Sequence, residues 1–419
     1  MAQQPETPSA HQEQREIDVL VWGATGFTGN IVARYMNSTY GASNLTWGLG
    51  GRNQSKLEAV RNALSEAGAD APLYLADSHD PAQMRELVGK ARVVLTTVGP
   101  YAKYGNELVA ACAELGTHYC DLTGEVHWMR RMIDAHQETA QASGARIVHT
   151  CGFDSIPSDL GVYFLQRAMQ DRYGCASPWI KCRTRAFSGG FSGGTVDSMM
   201  TMMEQAKDDP DIKRIIADPY ALNPSGAREG LDGPDRQSPE YDQDFEAWIG
   251  PFVMSQINTR VVRRSNAVMG YPYGRDFRYD EASIMPGGAL GGFAAAGMSL
   301  TMATVNAMAA FAPTRSLLQS MAPKPGEGPS EEAQRKGFFH IELLAQHPTD
   351  RSKDLRAHVK GDRDPGYGST AKMLSECAVS LAQDESPVGG GFWTPAAAMG
   401  DALLERLPAN AGVTFELDD

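Results

Sequence analysis

The stretch Ile17–Asp18–Val19–Leu20–Val21–Trp22–Gly23–Ala24–Thr25–Gly26–Phe27–Thr28–Gly29 decides how the rest of the chain is read. An apolar run ends in three glycines spaced three apart, and a helical pattern over Asn30–Met36 follows at once. That order predicts a buried strand, a tight turn and a helix whose N-terminus faces the strand's carboxyl end. Gly23 permits the turn, Gly26 lets backbone approach a pyrophosphate, and Gly29 lets helix and strand pack closely. The free N–H groups and positive dipole end of the helix would hold a diphosphate. A glycine-rich turn without a ligand is the alternative, and the strand–turn–helix context favours dinucleotide binding.

The strands that follow extend this reading. Asn44–Gly50 is expected as a second strand, ending in Gly50–Gly51–Arg52. NAD-specific folds place an acidic residue there to bind ribose hydroxyls. Here glycine and Arg52 take its place, with Asn53, Ser55 and Lys56 beside them. A carboxylate would repel a 2′-phosphate, whereas a guanidinium pairs with it in bidentate fashion, so NADP(H) is the expected cofactor. The alternative is that Arg52 only opens a solvated helix. Alternation continues through strands at Pro72–Asp77, Val93–Val98, His118–Leu122 and Arg146–Thr150, with helices between them. That is the pattern of a Rossmann-type doubly wound parallel sheet, whose ligands sit outside the carboxyl ends of the strands. The strand ends are Asp77, expected to face the adenine, then Gly99–Pro100–Tyr101, Asp121–Glu125 and Cys151–Asp154.

Two domains suit a chain of 419 residues. A formal net charge of −13 argues against nucleic acid as a partner. The six cysteines form no CxxC pair and have no histidine at ligand spacing, so no metal is expected and the setting is reducing and cytoplasmic. Residues 1–16 are polar and mixed in charge, and read as a disordered lead-in without a signal peptide.

Strict alternation stops near Pro157. Trp179–Phe187 reads as a strand, and Ser188–Thr195 as a second glycine-rich helix start that either holds a substrate group or only packs. Arg260, Arg263 and Arg264 make a basic face, for which salt bridges to the chain's own carboxylates are favoured over a grip on an acidic carrier. Ala282–Thr314 contains no charged residue. Its glycine, alanine and methionine content suits a close-packed buried helix or an interfacial segment better than a membrane span. Gly337–Ala345 is a strand, and helices are expected after Gly366 and after Pro395.

Three further motifs carry a family resemblance: Val98–Gly99–Pro100–Tyr101, Tyr119–Glu125 and Cys151–Asp159. The chain resembles the saccharopine dehydrogenase-like oxidoreductases, in the branch containing the trans-acting enoyl reductases of complex-lipid assembly. The resemblance implies an inserted α+β substrate domain and C-terminal helices that return to the Rossmann domain. The expected division is 1–16 lead-in, 17–155 NADP-binding domain, 156–350 substrate domain and 351–419 returning helices.

It also implies an NADPH-dependent enzyme of lipid biosynthesis that transfers hydride to an apolar enoyl group, free or carrier-bound. Peripheral membrane contact and a homodimer stay open. A saccharopine-type amino-acid dehydrogenase and a non-catalytic, lipid-associated nucleotide-binding protein are the alternatives. The candidate cofactor-binding residues are Gly23, Thr25, Gly26, Phe27, Thr28, Gly29, Arg52, Asp77, Gly99 and Pro100. For catalysis they are Tyr101, Asp121 and Asp154, with Tyr101 as proton donor or as packing for the cofactor ring, and with Lys103, Tyr104 and Cys151 as further donors. Asp121 and Glu125 either orient substrate or fix their loop.

Overall fold

The computed structural model describes residues 15–65, 68–189, 193–285, 287–310, 314 and 328–418. Nearly all of the expected lead-in, residues 190–192 of the second glycine-rich stretch and the linker up to residue 327 lie outside the described residues.

In chain order the first elements are β1 (Ile17–Trp22), α1 (Phe27–Tyr40), β2 (Trp47–Gly51), α2 (Gln54–Asn62), β3 (Leu73–Leu75) and α3 (Pro81–Val88). There follow β4 (Ala91–Thr96), the short turn α4 (Tyr101–Tyr104), α5 (Asn106–Leu115), β5 (His118–Cys120), α6 (Val126–Ser143) and β6 (Arg146–Val148). Next come α7 (Ile156–Tyr173), β7 (Trp179–Ser188), α8 (Gly193–Asp208), α9 (Pro210–Ala217), β8 (Glu240–Asp242) and β9 (Ala247–Gly250). The chain continues with α10 (Ser255–Val268), β10 (Arg278–Ile284), α11 (Gly291–Ala310), α12 (Glu331–Lys336), β11 (Phe338–Gln346) and β12 (Leu355–Gly361). Last are α13 (Thr370–Gln383), β13 (Gly391–Trp393), α14 (Pro395–Arg406) and β14 (Val413–Leu417).

The described residues fall into two compact units. One holds the chain up to Ile156, with Gly328 and Gly366–Gly412. The other holds the chain from Pro157, with Pro329–Pro365 and the residues from Val413.

The first unit is built on a seven-stranded sheet of order β13-β6-β5-β4-β1-β2-β3, with every pair parallel. Parallel strands are covered on both faces and so read as continuous apolar runs. Accordingly Val19, Val21, Val93, Val94 and Leu95 are fully buried. Six of these strands follow the expected alternation. The seventh, β13, lies within the expected glycine-rich lead-in to the last helix. α13 and α14 belong to this unit, so the C-terminal helices do return to the Rossmann sheet. Glu376, fully buried on α13, accepts hydrogen bonds from the hydroxyls of Tyr35 (2.7 Å) and Tyr40 (2.6 Å), tying α13 to α1.

The second unit carries a mixed sheet of order β14-β12-β11-β7-β10-β9-β8. Only β7–β10 is parallel among its pairs. Residues 351–419 therefore supply more than returning helices: β12 and β14 pair with each other at one edge of this sheet. β12 alternates Leu355, Ala357 and Val359 inward with Arg356, His358 and Lys360 between them, the period of a half-buried strand.

The three arginines of α10 are buried in ion pairs and carbonyl contacts, as the salt-bridge reading expects. Arg260 pairs with Asp235, Arg263 with Asp232 at 2.7 Å, and Arg264 donates to the Leu222 carbonyl. The uncharged segment differs from the expectation of a close-packed helix. It begins inside β10, and its helix α11 is largely exposed. No helix among the described residues is long and apolar enough to cross a membrane.

Candidate functional site

The glycine turn is built as its residue types require. Gly23 adopts φ +90°, and a Cβ there would lie 2.6 Å from Val98 Cγ2. A Cβ on Gly29 would lie 2.1 Å from the Gly23 carbonyl oxygen, so α1 can approach β1 only with glycine at that position. The Gly26 amide closes the turn onto the Gly23 carbonyl at 2.9 Å. Gly26 then stands at the N-cap of α1 with no side-chain cap, and the first turn of the helix contains no acidic residue. The result is a cradle of amides with no side-chain cap among the described residues at a positive helix end, which fits a diphosphate. Gly26 is exposed, with Thr25, Phe27 and Thr28 half-buried beside it. The Phe27 ring packs edge-on against Tyr367 at 4.7 Å.

Arg52 follows β2 directly, is exposed, and has no hydrogen-bond or ion-pair partner among the described residues. Its neighbour Asn53 caps α2 by accepting from the Lys56 amide at 2.9 Å. Glycine fills the preceding positions for a packing reason, since a Cβ on Gly50 would lie 2.7 Å from the Trp22 ring. No carboxylate occupies the end of β2, and a free guanidinium does, which is the arrangement a 2′-phosphate requires. Asp77, past β3, is exposed and accepts from the His79 amide at 3.0 Å.

At the end of β4, Gly99 and Pro100 are joined by a cis peptide, and Tyr101 opens α4. Glu125 caps that turn, its two carboxylate oxygens accepting from the amides of Tyr101 (2.8 Å) and Ala102 (2.9 Å). Of its two expected roles, loop fixing is the one this geometry performs. The Tyr101 side chain is buried, its hydroxyl donating to the Thr96 carbonyl at 3.3 Å and accepting from the Leu122 amide at 3.2 Å. Burial, then the charges of Asp121, Glu125 and Asp154, push this phenol well above its ordinary range. Such a group holds its proton.

Asp121 is fully buried. One oxygen accepts from the amides of Thr123 (3.0 Å) and Thr150 (3.1 Å). The other meets the Tyr119 hydroxyl (2.8 Å) and His149 Nδ1 (2.7 Å). Four bonds saturate a carboxylate, so Asp121 is placed as a brace between the ends of β5 and β6. His149 and Tyr119 belong to this network and were not among the sequence candidates. The only signal for His149 is its position at the end of the last strand of the series.

Asp154 differs from Asp121. It is partly exposed and makes no hydrogen bond or ion pair among the described residues. Desolvation, then the nearby charge of Asp121, raises its carboxyl from 3.8 to about 7. Of the other donor candidates, Cys151 is fully enclosed with its sulfur 3.5 Å from the Val148 carbonyl, Lys103 is exposed, and Tyr104 packs beside His79. The first unit thus carries a diphosphate cradle, a cation past β2 that is unpaired among the described residues, and a protonatable carboxyl past β6.

Comparison with known proteins agrees with an NADP(H) cofactor. Residues 19–148 match the saccharopine dehydrogenase NADP-binding domain. The chain is 40% identical over 418 residues to the trans-acting enoyl reductase of Mycobacterium tuberculosis (strain ATCC 25618 / H37Rv), covering 96% of this chain and 98% of that one. It is 39% identical over 424 residues to the trans-acting enoyl reductase of Mycobacterium leprae, with the same two coverages of 96% and 98%. Among solved structures, saccharopine dehydrogenase (L-Glu forming) from Saccharomyces cerevisiae shares the fold, with a TM-score of 0.51 at 9% identity over 96% of this chain and 100% of that one. The chain belongs to the saccharopine dehydrogenase-like NADP-dependent oxidoreductases, in the branch of the trans-acting enoyl reductases.

Proposed function

We propose that the protein reduces the carbon–carbon double bond of an apolar enoyl thioester, free or carrier-bound, as a step of lipid biosynthesis in the cytoplasm. The names of the 40% identical relatives support this substrate class. The observation that carries the chemistry is Asp154, a carboxyl without a partner among the described residues that is raised to about 7 and sits in the unit that carries the cofactor cradle.

Bound NADPH supplies the hydride. The residues of the chain do the rest. The amides at the start of α1 hold the diphosphate, with Thr25, Phe27 and Thr28 around it, and Arg52 pairs with the 2′-phosphate. Asp77, Gly99 and Pro100 line the path of the dinucleotide along the strand ends. Once the β-carbon is reduced, negative charge develops on the thioester oxygen and the α-carbon takes a proton. Asp154 keeps a proton near neutral pH and can deliver it, as a general acid whose pKa lies close to the working pH. Tyr101 and Asp121 are then positioning residues that set the loops past β4, β5 and β6.

The arginines of α10 are engaged with Asp232, Asp235 and the Leu222 carbonyl, so they do not offer the cations that a polycarboxylate such as saccharopine requires. The test is NADPH oxidation, followed by absorbance, with medium- and long-chain enoyl thioesters set against saccharopine as acceptors. Turnover of the enoyl thioesters alone supports the proposal. NADPH binding with no acceptor consumed would leave a nucleotide-binding protein without turnover.

A further inference from the structure

Helix α11 breaks the surface chemistry of the second unit. Charged residues make up 21% of the chain, yet none occurs from Ala282 to Thr314. Along this stretch large apolar side chains are exposed: Leu290 is 70%, Phe293 79% and Leu300 69% accessible. One side of α11 lies on the sheet, where a Cβ on Gly291 or Gly292 would lie 3.3 or 3.0 Å from Trp248. The other side presents Phe293, Gly297, Leu300 and two threonines to solvent.

Two details show that this outer side suits a dry contact. The hydroxyls of Thr301 and Thr304 each bond back to the carbonyl four residues earlier at 2.8 Å, so covering them leaves no unmet donor. Gly297 stands mid-helix and exposed, and a Cβ there would meet nothing within 4 Å. Glycine in a helix interior costs about 1 kcal/mol relative to alanine. Nothing among the described residues requires glycine at that position, whereas a second backbone passing close by would.

We propose that α11 is the interface of an isologous dimer, two copies of the helix crossing antiparallel on a two-fold axis at Gly297. In that register Phe293 faces Thr301 of the second copy and Leu300 faces Ala294, each large side chain against a small one. A second copy suits this face electrostatically, because chains of net charge −13 repel elsewhere and can meet where charge is absent. A surface-bound lipid helix instead draws on Lys and Arg, and α11 has neither. Twenty residues span about 30 Å, and half the surface of such a cylinder is roughly 500 Å² per copy, about 1,000 Å² for the pair and so at the lower bound of a specific interface.

Sedimentation of the full chain from low to high micromolar tests the proposal. The expected mass is about twice 45.3 kDa, with Phe293→Glu and Leu300→Glu each weakening the dimer at least about 100-fold while NADPH affinity is retained. Because a charged variant can also fail by misfolding, Gly297→Cys supplies a second reading. It should cross-link to its copy under mild oxidation, whereas Ala307→Cys, about 15 Å along the helix, should not. A wild-type chain at 45.3 kDa throughout would overturn the proposal. So would a dimer indifferent to both charges, and so would a monomer that floats with phosphatidylcholine vesicles until Phe293→Glu releases it.

Discussion

The loops after β5 and β6 each carry an aspartate, and the two carboxyls meet opposite surroundings. Asp121 receives four hydrogen bonds from its own chain and is closed off from solvent. Asp154 has no hydrogen bond among the described residues and keeps partial access to solvent. The saturated group holds strand ends together. Its charge in turn helps raise Asp154 to about 7, because a like charge nearby disfavours the ionised form. Desolvation does most of this, and a carboxylate fixed by the fold adds to it.

The strongest attack on this comparison is Asp154→Asn. It should lower turnover of an enoyl thioester by about 10²- to 10⁴-fold with NADPH affinity unchanged, and a loss under threefold would remove Asp154 from the reaction. The same residue sets a pH dependence. Its folded value of about 7 stands above the ordinary 3.8, so its contribution to stability is present at acid pH and is lost as pH rises through 7. Activity should fall over the same range, and the residual activity of Asp154→Asn should be flat with pH. A steep profile in the variant would assign the titration to another group.

Asp121→Ala should act on the fold instead. It strands the amides of Thr123 and Thr150 and the side chains of Tyr119 and His149, which should cost about 3 kcal/mol or more in urea denaturation. An unchanged midpoint would show that water replaces the brace. Arg52→Asp should shrink the preference for NADPH over NADH by about 10- to 100-fold in a fluorescence titration, the range of one lost charge-assisted contact. An unchanged preference would place the 2′-phosphate elsewhere. Tyr101→Phe should have the smallest effect, about 1 kcal/mol of stability for its two backbone contacts and turnover within a few-fold of wild type. A hundredfold loss of turnover would return Tyr101 to the role of proton donor and reduce Asp154 to a bystander.

The parallel sheet was legible because doubly covered strands appear as uninterrupted apolar runs such as Val93–Val94–Leu95, each punctuated by glycine or a helix cap. β13 was not, since three residues behind a run of glycines carry no periodicity. β12 and β14 were obscured differently: both alternate, but family resemblance directed attention to helices over the same residues. At the site, residue types pointed to the strand ends and left the roles undivided. Tyr101, Asp121 and Asp154 are equally plausible donors as letters. Only burial and bonding separate a phenol held between Thr96 and Leu122, a saturated brace and a bare carboxyl. The uncharged segment shows the limit most clearly, since absence of charge was visible and the exposure of α11 was not.

The interleaving of the two sheets constrains how the chain can be made. β13 forms an edge of the first sheet, and β14 an edge of the second. During vectorial synthesis neither sheet can close that edge until residues beyond 390 have left the ribosome, and β6 waits longer for β13 than β12 does for β14. Unpaired edges in nascent chains invite aggregation. Expression as separate halves, or with the final strand removed, should therefore yield insoluble material even though every residue of the cofactor cradle is present.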